Sequence, residues 1–225
     1  MSGAKLISVN VGLPREVISH KKSVRTGIFK RPVAGRIQVR TLNLEGDRQA
    51  DLTVHGGPRK AVYAYPAEHY PYWRTQFPDM EISWGMFGEN FTLQGFQEQE
   101  VRIGDKLRIG SALFSVTQPR SPCYKLGIRF GRDDMVKRFL HSGRTGFYLS
   151  VLEEGNVGAG DLVEMASKAQ GNVSVAEVAS LYAGEEKASR DLLERAALTE
   201  ELSESWRNYF LSRLGRIDGP HKNDR

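Results

Sequence analysis

Apolar and polar side chains alternate along two early segments, residues 5–13 (KLISVNVGL) and 35–44 (GRIQVRTLNL). A period of two with several β-branched residues predicts half-buried strands. Residues 101–118 (VRIGDKLRIGSALFSVTQ) repeat the pattern, with Gly104-Asp105 and Gly110-Ser111 placed for tight turns. Residues 145–155 (TGFYLSVLEEG) and 160–165 (GDLVEM) read as closing strands. Many short strands separated by glycine turns point to a barrel or sandwich. Residues 1–166 are therefore expected to form one mostly β, barrel-like domain with short helices.

Two stretches inside that region change to a helical period. Residues 66–77 (PAEHYPYWRTQF) predict a short helix that Pro71 kinks or whose start it shifts. Residues 132–143 (RDDMVKRFLHSG) carry acids first and bases later, the order that suits the helix dipole. After residues 167–172 (SKAQGN) the character changes. Ser174 and Glu177 form an S-x-x-E capping box ahead of VAEVASLYA. Two more helical stretches follow, EKASRDLLERAAL and TEELSESWRNYFLSRLG. In the last, Leu202, Trp206, Tyr209, Phe210 and Leu214 share one stripe, with Gly215 as the expected C-cap. Three short helices over 172–215 are too few to bury a large core alone. They are expected to pack on the β domain or on a partner.

Composition narrows the class. Hydrophobic residues at 40% and charged residues at 26% suit a globular chain, and 23 glycines in 225 residues favour a turn-rich fold. No apolar run approaches the roughly 18 residues of a membrane span, and the first residues lack the apolar core of a signal peptide. Cys123 is the one cysteine, so no intramolecular disulfide can form, which fits a reducing compartment. A cytoplasmic protein without membrane association is expected. The net charge is +5, and residues 1–48 hold ten Lys/Arg against three Asp/Glu. Such a basic region attracts an anionic ligand or nucleic acid. Interleaved aromatic and basic residues, which would favour nucleic acid, are not found.

Three stretches carry candidate chemistry. In residues 44–70 (LEGDRQADLTVHGGPRKAVYAYPAEHY), Gly56-Gly57 after His55 gives a tight backbone followed by Arg59 and Lys60. Exposed amides beside cations can hold an anion such as phosphate, although the P-loop pattern is absent. In FGENF (87–91), Glu89 and Asn90 lie between two phenylalanines; a carboxyl there needs a partner or a raised pKa. In QPRSPCYKL (118–126), two prolines stiffen the approach to Cys123, and Arg120 places a cation nearby. That suits a thiolate, yet a lone cysteine also serves as core filler. No zinc-ligand spacing appears.

Taken as an ordered set, LEGDRQAD…HGGPRKAVYAY, FGENF, VRIGDKLRIG and QPRSPCYKL resemble the MOSC domain, and the three-helix tail resembles its YiiM-like subgroup. The resemblance spans about residues 5–215. It implies a molybdenum cofactor (molybdopterin), with Cys123 as the protein ligand of the molybdenum. It also places Arg59, Lys60, Arg120, Ser121 and the Gly56-Gly57 backbone at the cofactor, its phosphate included. Glu89, Asn90 and Asp47 are expected to accept from the pterin ring, and His55 or Glu89 to donate a proton. The activity implied is reduction of N-hydroxylated small molecules such as 6-hydroxylaminopurine. Electrons would come from a separate flavin- or haem-bearing protein, since neither a Rossmann fingerprint nor an iron–sulfur cysteine set is present. The rival reading is a sulfur carrier in which Cys123 accepts a persulfide.

Overall fold

The computed structural model describes residues 3–52, 56–184 and 189–218. Strand β1 (Lys5–Val11) shows how the alternation is realised. Leu6 and Val9 are both fully buried, three residues apart, because the pairing with β8 (Phe91–Gln94) slips between Leu6 and Ser8. A bulge there returns Val9 to the core face.

The main sheet has eight strands in the order β13-β9-β10-β11-β7-β8-β1-β4. Its other members are β4 (Arg31–Pro32), β7 (Val62–Pro66), β9 (Lys106–Ile109), β10 (Ala112–Pro119), β11 (Phe147–Glu153) and β13 (Val163–Ser167). All neighbouring pairs are antiparallel except β7 with β8. Strands β5 (Arg36–Arg40), β6 (Asn43–Leu44) and β12 (Gly155–Gly158) form a second sheet, and β2 (Arg15–Ser19) with β3 (Lys22–Thr26) a hairpin. The large sheet curls without closing as a barrel. Its β13 side returns to β1 through short bonds rather than a ladder: Leu6 N donates to Asp161 O at 2.9 Å, and Val163 N to Ala4 O at 2.9 Å. The expected barrel is thus a strongly curled open sheet.

Strand β7 (VYAYP) is buried at every position. Val62 and Ala64 enter the main sheet core, while Tyr63 and Tyr65 enter an aromatic cluster on the other face. Helices α1 (Tyr70–Gln76), α2 (Tyr124–Phe130) and α3 (Met135–His141) cover that second face with Trp73, Phe130 and Phe139. A 3-10 turn (Ala67–His69) precedes α1 and leaves Pro71 in its first turn, where proline is tolerated.

The last three helices are α4 (Val175–Ala183), α5 (Arg190–Leu198) and α6 (Glu204–Asp218). The capping box forms: Ser174 Oγ accepts from Glu177 N at 3.1 Å, and Ser174 N donates to Glu177 Oε2 at 2.6 Å. Val178, Leu193, Trp206 and Phe210 join the same buried cluster as Val101, Ile103 and Val116 of the β region. Backbone bonds from Ile103 N to Val173 O and from Val175 N to Val101 O, each 2.9 Å, fix the entry. Gly215 is not the expected C-cap; α6 runs through it to Asp218. No helix among the described residues is long and apolar enough to cross a membrane.

Candidate functional site

The thiol is positioned by a strand, a stiff loop and a helix. β10 ends at Pro119, and Arg120 N still reaches Gly146 O at 3.3 Å. Three residues later the chain turns into α2, with half-buried Cys123 at the N-cap. Arg120 is 7% exposed and locked in place. Its Nη1 donates to Phe87 O at 2.6 Å and to the Tyr63 hydroxyl at 3.4 Å. Its guanidinium also lies 4.8 Å from the Tyr63 ring centre and 5.4 Å from that of Phe139. Burial works against this charge, but Tyr63, Tyr148 and the Cys123 thiolate favour it, and the guanidinium stays above its ordinary range. A permanent cation therefore stands beside the thiol.

Cys123 lines a cleft open to solvent. Lys30, Arg48, Lys60, Arg120 and Lys125 supply cations around it, and no carboxylate is among its described lining residues. Tyr63, Tyr148, Asn90 and residues 26–28 complete the wall. Gly27 permits the chain to close here, since a Cβ at that position would meet Arg48 O at 2.5 Å. Behind the wall, Asp47 is 2% exposed and pairs with the Lys30 ammonium. It also accepts from Gly12 N at 2.9 Å and from Asn90 Nδ2 at 2.9 Å. Asn90 Oδ1 in turn accepts from Tyr63 N at 3.1 Å. Burial, opposed by Asp47, holds the Lys30 ammonium below its ordinary range, and burial does the same for Lys60.

The residues expected from the sequence divide into three groups. Cys123, Arg120, Ser121, Asn90 and Lys60 line the cleft together. Asp47 supports it from behind through Lys30 and Asn90. Glu89, Arg59 and the two glycines do not line it. Glu89 is fully buried and accepts from Gly85 N at 2.6 Å, Phe87 N at 3.1 Å, Thr92 Oγ1 at 3.1 Å and the Tyr70 hydroxyl. Burial pushes its carboxyl up, while hydrogen bonds from Tyr70, the Gly85 backbone and Thr92 pull the other way. It anchors the 85–92 turn rather than facing a ligand. Gly57, at φ 93°, occupies the left-handed region that favours glycine and starts a 3-10 turn (Pro58–Lys60). That turn separates two neighbouring cations. Lys60 faces the cleft, whereas Arg59 donates to Glu200 O at 3.4 Å and to Glu201 O, tying the β region to the helical tail. His55 lies outside the described residues.

Lys30, Arg48, Lys125, Tyr63 and Tyr148 were not singled out from the sequence. The basic excess of residues 1–48 was the available signal, but it did not say which cations converge. Lys125, two residues beyond Cys123, was open to the same motif argument as Arg120.

The donor set can be tested against a molybdenum–pterin cofactor. Such a group brings two sulfur ligands of its own and ends in a phosphate, so it needs one soft protein ligand and cations. Cys123 and the five surrounding cations meet both needs. Among the described residues no three His, Cys, Asp or Glu side chains gather to hold a bare metal ion.

A curled β domain with one thiol in a cationic cleft and three helices packed on its core is the class these features define. The MOSC domain model matches residues 51–164, and the YiiM-like, 3-alpha helix domain model matches residues 173–215. The chain belongs to the MOSC domain family, in the group that carries this helical domain, and MOSC domains are associated with molybdenum cofactor binding. It is 42% identical over 212 residues to the uncharacterized protein YflK of Bacillus subtilis, covering 94% of this chain and 95% of that one. Protein YiiM of Escherichia coli is 39% identical over 183 residues, 80% of this chain and 81% of the relative. A Gibberella moniliformis protein called a reductase is 30% identical over 200 residues; the match spans 76% of this chain but 36% of the fungal one. The solved structure of YiiM from Geobacillus stearothermophilus superposes with a TM-score of 0.77 at 33% identity, covering 94% of this chain and 99% of that one.

Proposed function

We propose that this protein is a molybdenum-cofactor-dependent reductase of N-hydroxylated bases, with Cys123 as the protein ligand of the metal. The single observation that carries this reading is one half-buried thiol in a cleft ringed by five cations. When bound, the cofactor supplies the two-electron redox chemistry. Arg48, Lys60 and Lys125 would hold its phosphate through charge-assisted hydrogen bonds. Asn90, oriented by Asp47, presents polar atoms to the pterin edge. The buried Arg120 guanidinium stays charged and places a cation beside the ligating sulfur.

The overall conversion, R–NHOH plus two electrons and two protons to R–NH₂ plus water, needs a proton source. Lys30 lines the cleft, and burial holds its ammonium below its ordinary range. Groups moved in that direction transfer protons more readily near neutral pH. The electrons come from a separate donor protein carrying a flavin or haem.

The test is conversion of 6-hydroxylaminopurine to adenine by cofactor-loaded protein with an artificial two-electron donor, followed by chromatography. Adenine formation at many turnovers per molybdenum is expected. No adenine from fully loaded protein whose metal is shown to be reduced would refute the reductase reading. A labile +32 Da adduct on Cys123 from the same preparation would then favour the sulfur-carrier alternative.

A further inference from the structure

The β2–β3 hairpin joins neither of the two sheets. A lone hairpin is marginal in water, so its few anchors decide where it lies. At its base Arg15 pairs with Thr26, and Thr26 and Gly27 line the Cys123 cleft. At its tip His20 and Lys21 take φ values of 47° and 63°, as the twist of a two-residue hairpin turn requires. His20 Nε2 there stands 3.1 Å from Asp133 Oδ1, just ahead of α3. The hairpin also meets α2, the helix that Cys123 caps. The guanidinium groups of Arg15 and Arg129 both stack on the Phe29 ring, 3.8 and 5.0 Å from its centre.

The charge on this face is one-sided. Residues 12–31 hold six Lys/Arg and one Asp/Glu. Lys30 is claimed by Asp47, and the one acid, Glu16, accepts from Ser23 Oγ. Arg15, Lys21, Lys22, Arg25 and Arg31 are exposed, and none is in an ion pair among the described residues. Arg129 adds a sixth such cation, and its buried Nε has no hydrogen-bond partner. Burial holds this guanidinium below its ordinary range, and the charges of Arg15 and Arg31 push the same way, against Glu89. Like charges gathered without counter-charge repel one another and attract an oppositely charged partner from a distance. Among them stands one apolar side chain. Ile18 is 75% exposed and shares the outer face of the hairpin with Arg25.

We propose that this face, the β2–β3 hairpin with the Arg129 side of α2, is the docking surface for an acidic electron-carrier protein that holds a flavin or a haem. The proposal rests on the reductase reading for the use made of the electrons, but not for the docking. Charge selects the partner: a basic face without internal counter-ions is complementary to exposed carboxylates. Position gives the docking its purpose. Thr26 and Gly27 at the hairpin base and Lys125 on α2 line the cleft with Cys123, so a carrier seated on this face borders the cleft. Such a carrier, oxidised by two electrons in all, supplies what reduction of R–NHOH to R–NH₂ and water consumes. Exposed cations around a single aliphatic side chain also suit a brief redox encounter, which belongs to the small end of interface sizes. Nucleic acid fits less well, because residues 15–26 include no Phe, Tyr or Trp on which bases could stack.

The test titrates full-length protein with two probes, an acidic flavodoxin and an acidic b-type cytochrome, by calorimetry and without turnover. Titrations are run at low salt and again at roughly 0.3 M salt, where surface charges are strongly screened. The hairpin variant combines Arg15→Gln, Lys22→Gln and Arg25→Gln. A control with the same change in net charge combines Lys5→Gln, Lys106→Gln and Lys168→Gln, exposed residues none of which lines the cleft. Melting curves check that both variants fold. Binding of at least one probe by the wild type is expected, weakened at least tenfold by salt and by the hairpin variant, and within about twofold of wild type in the control. A wild type that binds neither probe, or equal losses in hairpin variant and control, would overturn the proposal. So would a short DNA duplex that binds the wild type more tightly than either probe and loses its affinity in the hairpin variant. Probe binding that depends on the hairpin, with no turnover of 6-hydroxylaminopurine by loaded protein, would support this face while sinking the reductase reading. Turnover with an artificial donor, but no binding of either probe, would do the reverse.

Discussion

Replacing Phe210 by alanine tests whether the helical tail and the β domain are one folding unit. Phe210 is fully buried, with its ring 5.7 Å from Trp206 and 5.4 Å from Tyr209, inside the cluster that also holds Val101 and Val116. Truncating a buried phenylalanine costs about 3–5 kcal/mol, combining lost transfer energy and a residual cavity. Typical domains have only about 5–15 kcal/mol in total. At roughly 2–4 °C per kcal/mol for a chain of this size, the melting temperature should fall by about 6–20 °C. The assay is calorimetry beside circular dichroism at wavelengths reporting sheet, helix and aromatic packing. Because the cluster is shared, all probes should move together in one transition. Two transitions, with the β signal melting where the wild type does, would show that the tail has its own core and would refute the shared-core argument.

Three further outcomes follow from the same structure. Lys60→Ala should lower cofactor retention about tenfold, the scale of one lost charge-assisted contact, with little change in melting. Arg59→Ala should destabilise by about 1 kcal/mol through its lost bonds to the tail and leave retention near wild type; equal effects of the two variants on retention would contradict the division made by the 3-10 turn. Glu89→Gln should alter the pH dependence of stability. Burial holds the folded carboxyl above its unfolded value, so its contribution is full below about pH 4.3 and is lost as pH rises through the folded value. Glutamine stays neutral, so melting curves from acid to neutral pH should shift in favour of the variant as pH rises; a wild type that gains on the variant would reverse the sign and disprove the burial argument.

The parts of the fold legible in the sequence were those in which one face is wet. β1, β5, β9, β11 and the capping box of α4 all carry period-two or capping signals. β7 carried none, because both of its faces are covered and all five residues are buried. α2 was not among the expected helices; Gly127 stands in its middle, where glycine weakens a helical signal. Gly215 looked like a helix end, but α6 continues through it. At the site, motif position pointed to Cys123, Arg120, Ser121, Lys60 and Asn90, which line one cleft on short segments that the strands bring together. It assigned Arg59 and Glu89 to the ligand because sequence neighbours appear equivalent. A single turn sends Arg59 to the tail, and three local donors together with the Tyr70 hydroxyl claim Glu89. Lys30 and Arg48 reach the cleft only through tertiary approach of the segments at residues 27 and 48, which no local pattern encodes.

Molybdenum and pterin content, measured side by side for wild type and Cys123→Ser made in a host that synthesises the cofactor, tests the central claim most directly. A serine hydroxyl is close to the thiol in size but is a poorer soft ligand, so the variant should fold with stability changed by only about 1 kcal/mol. The account predicts stoichiometric molybdenum and pterin in the wild type and at least a tenfold loss of metal in the folded variant. Equal molybdenum in the two proteins, or none in the wild type, would contradict it.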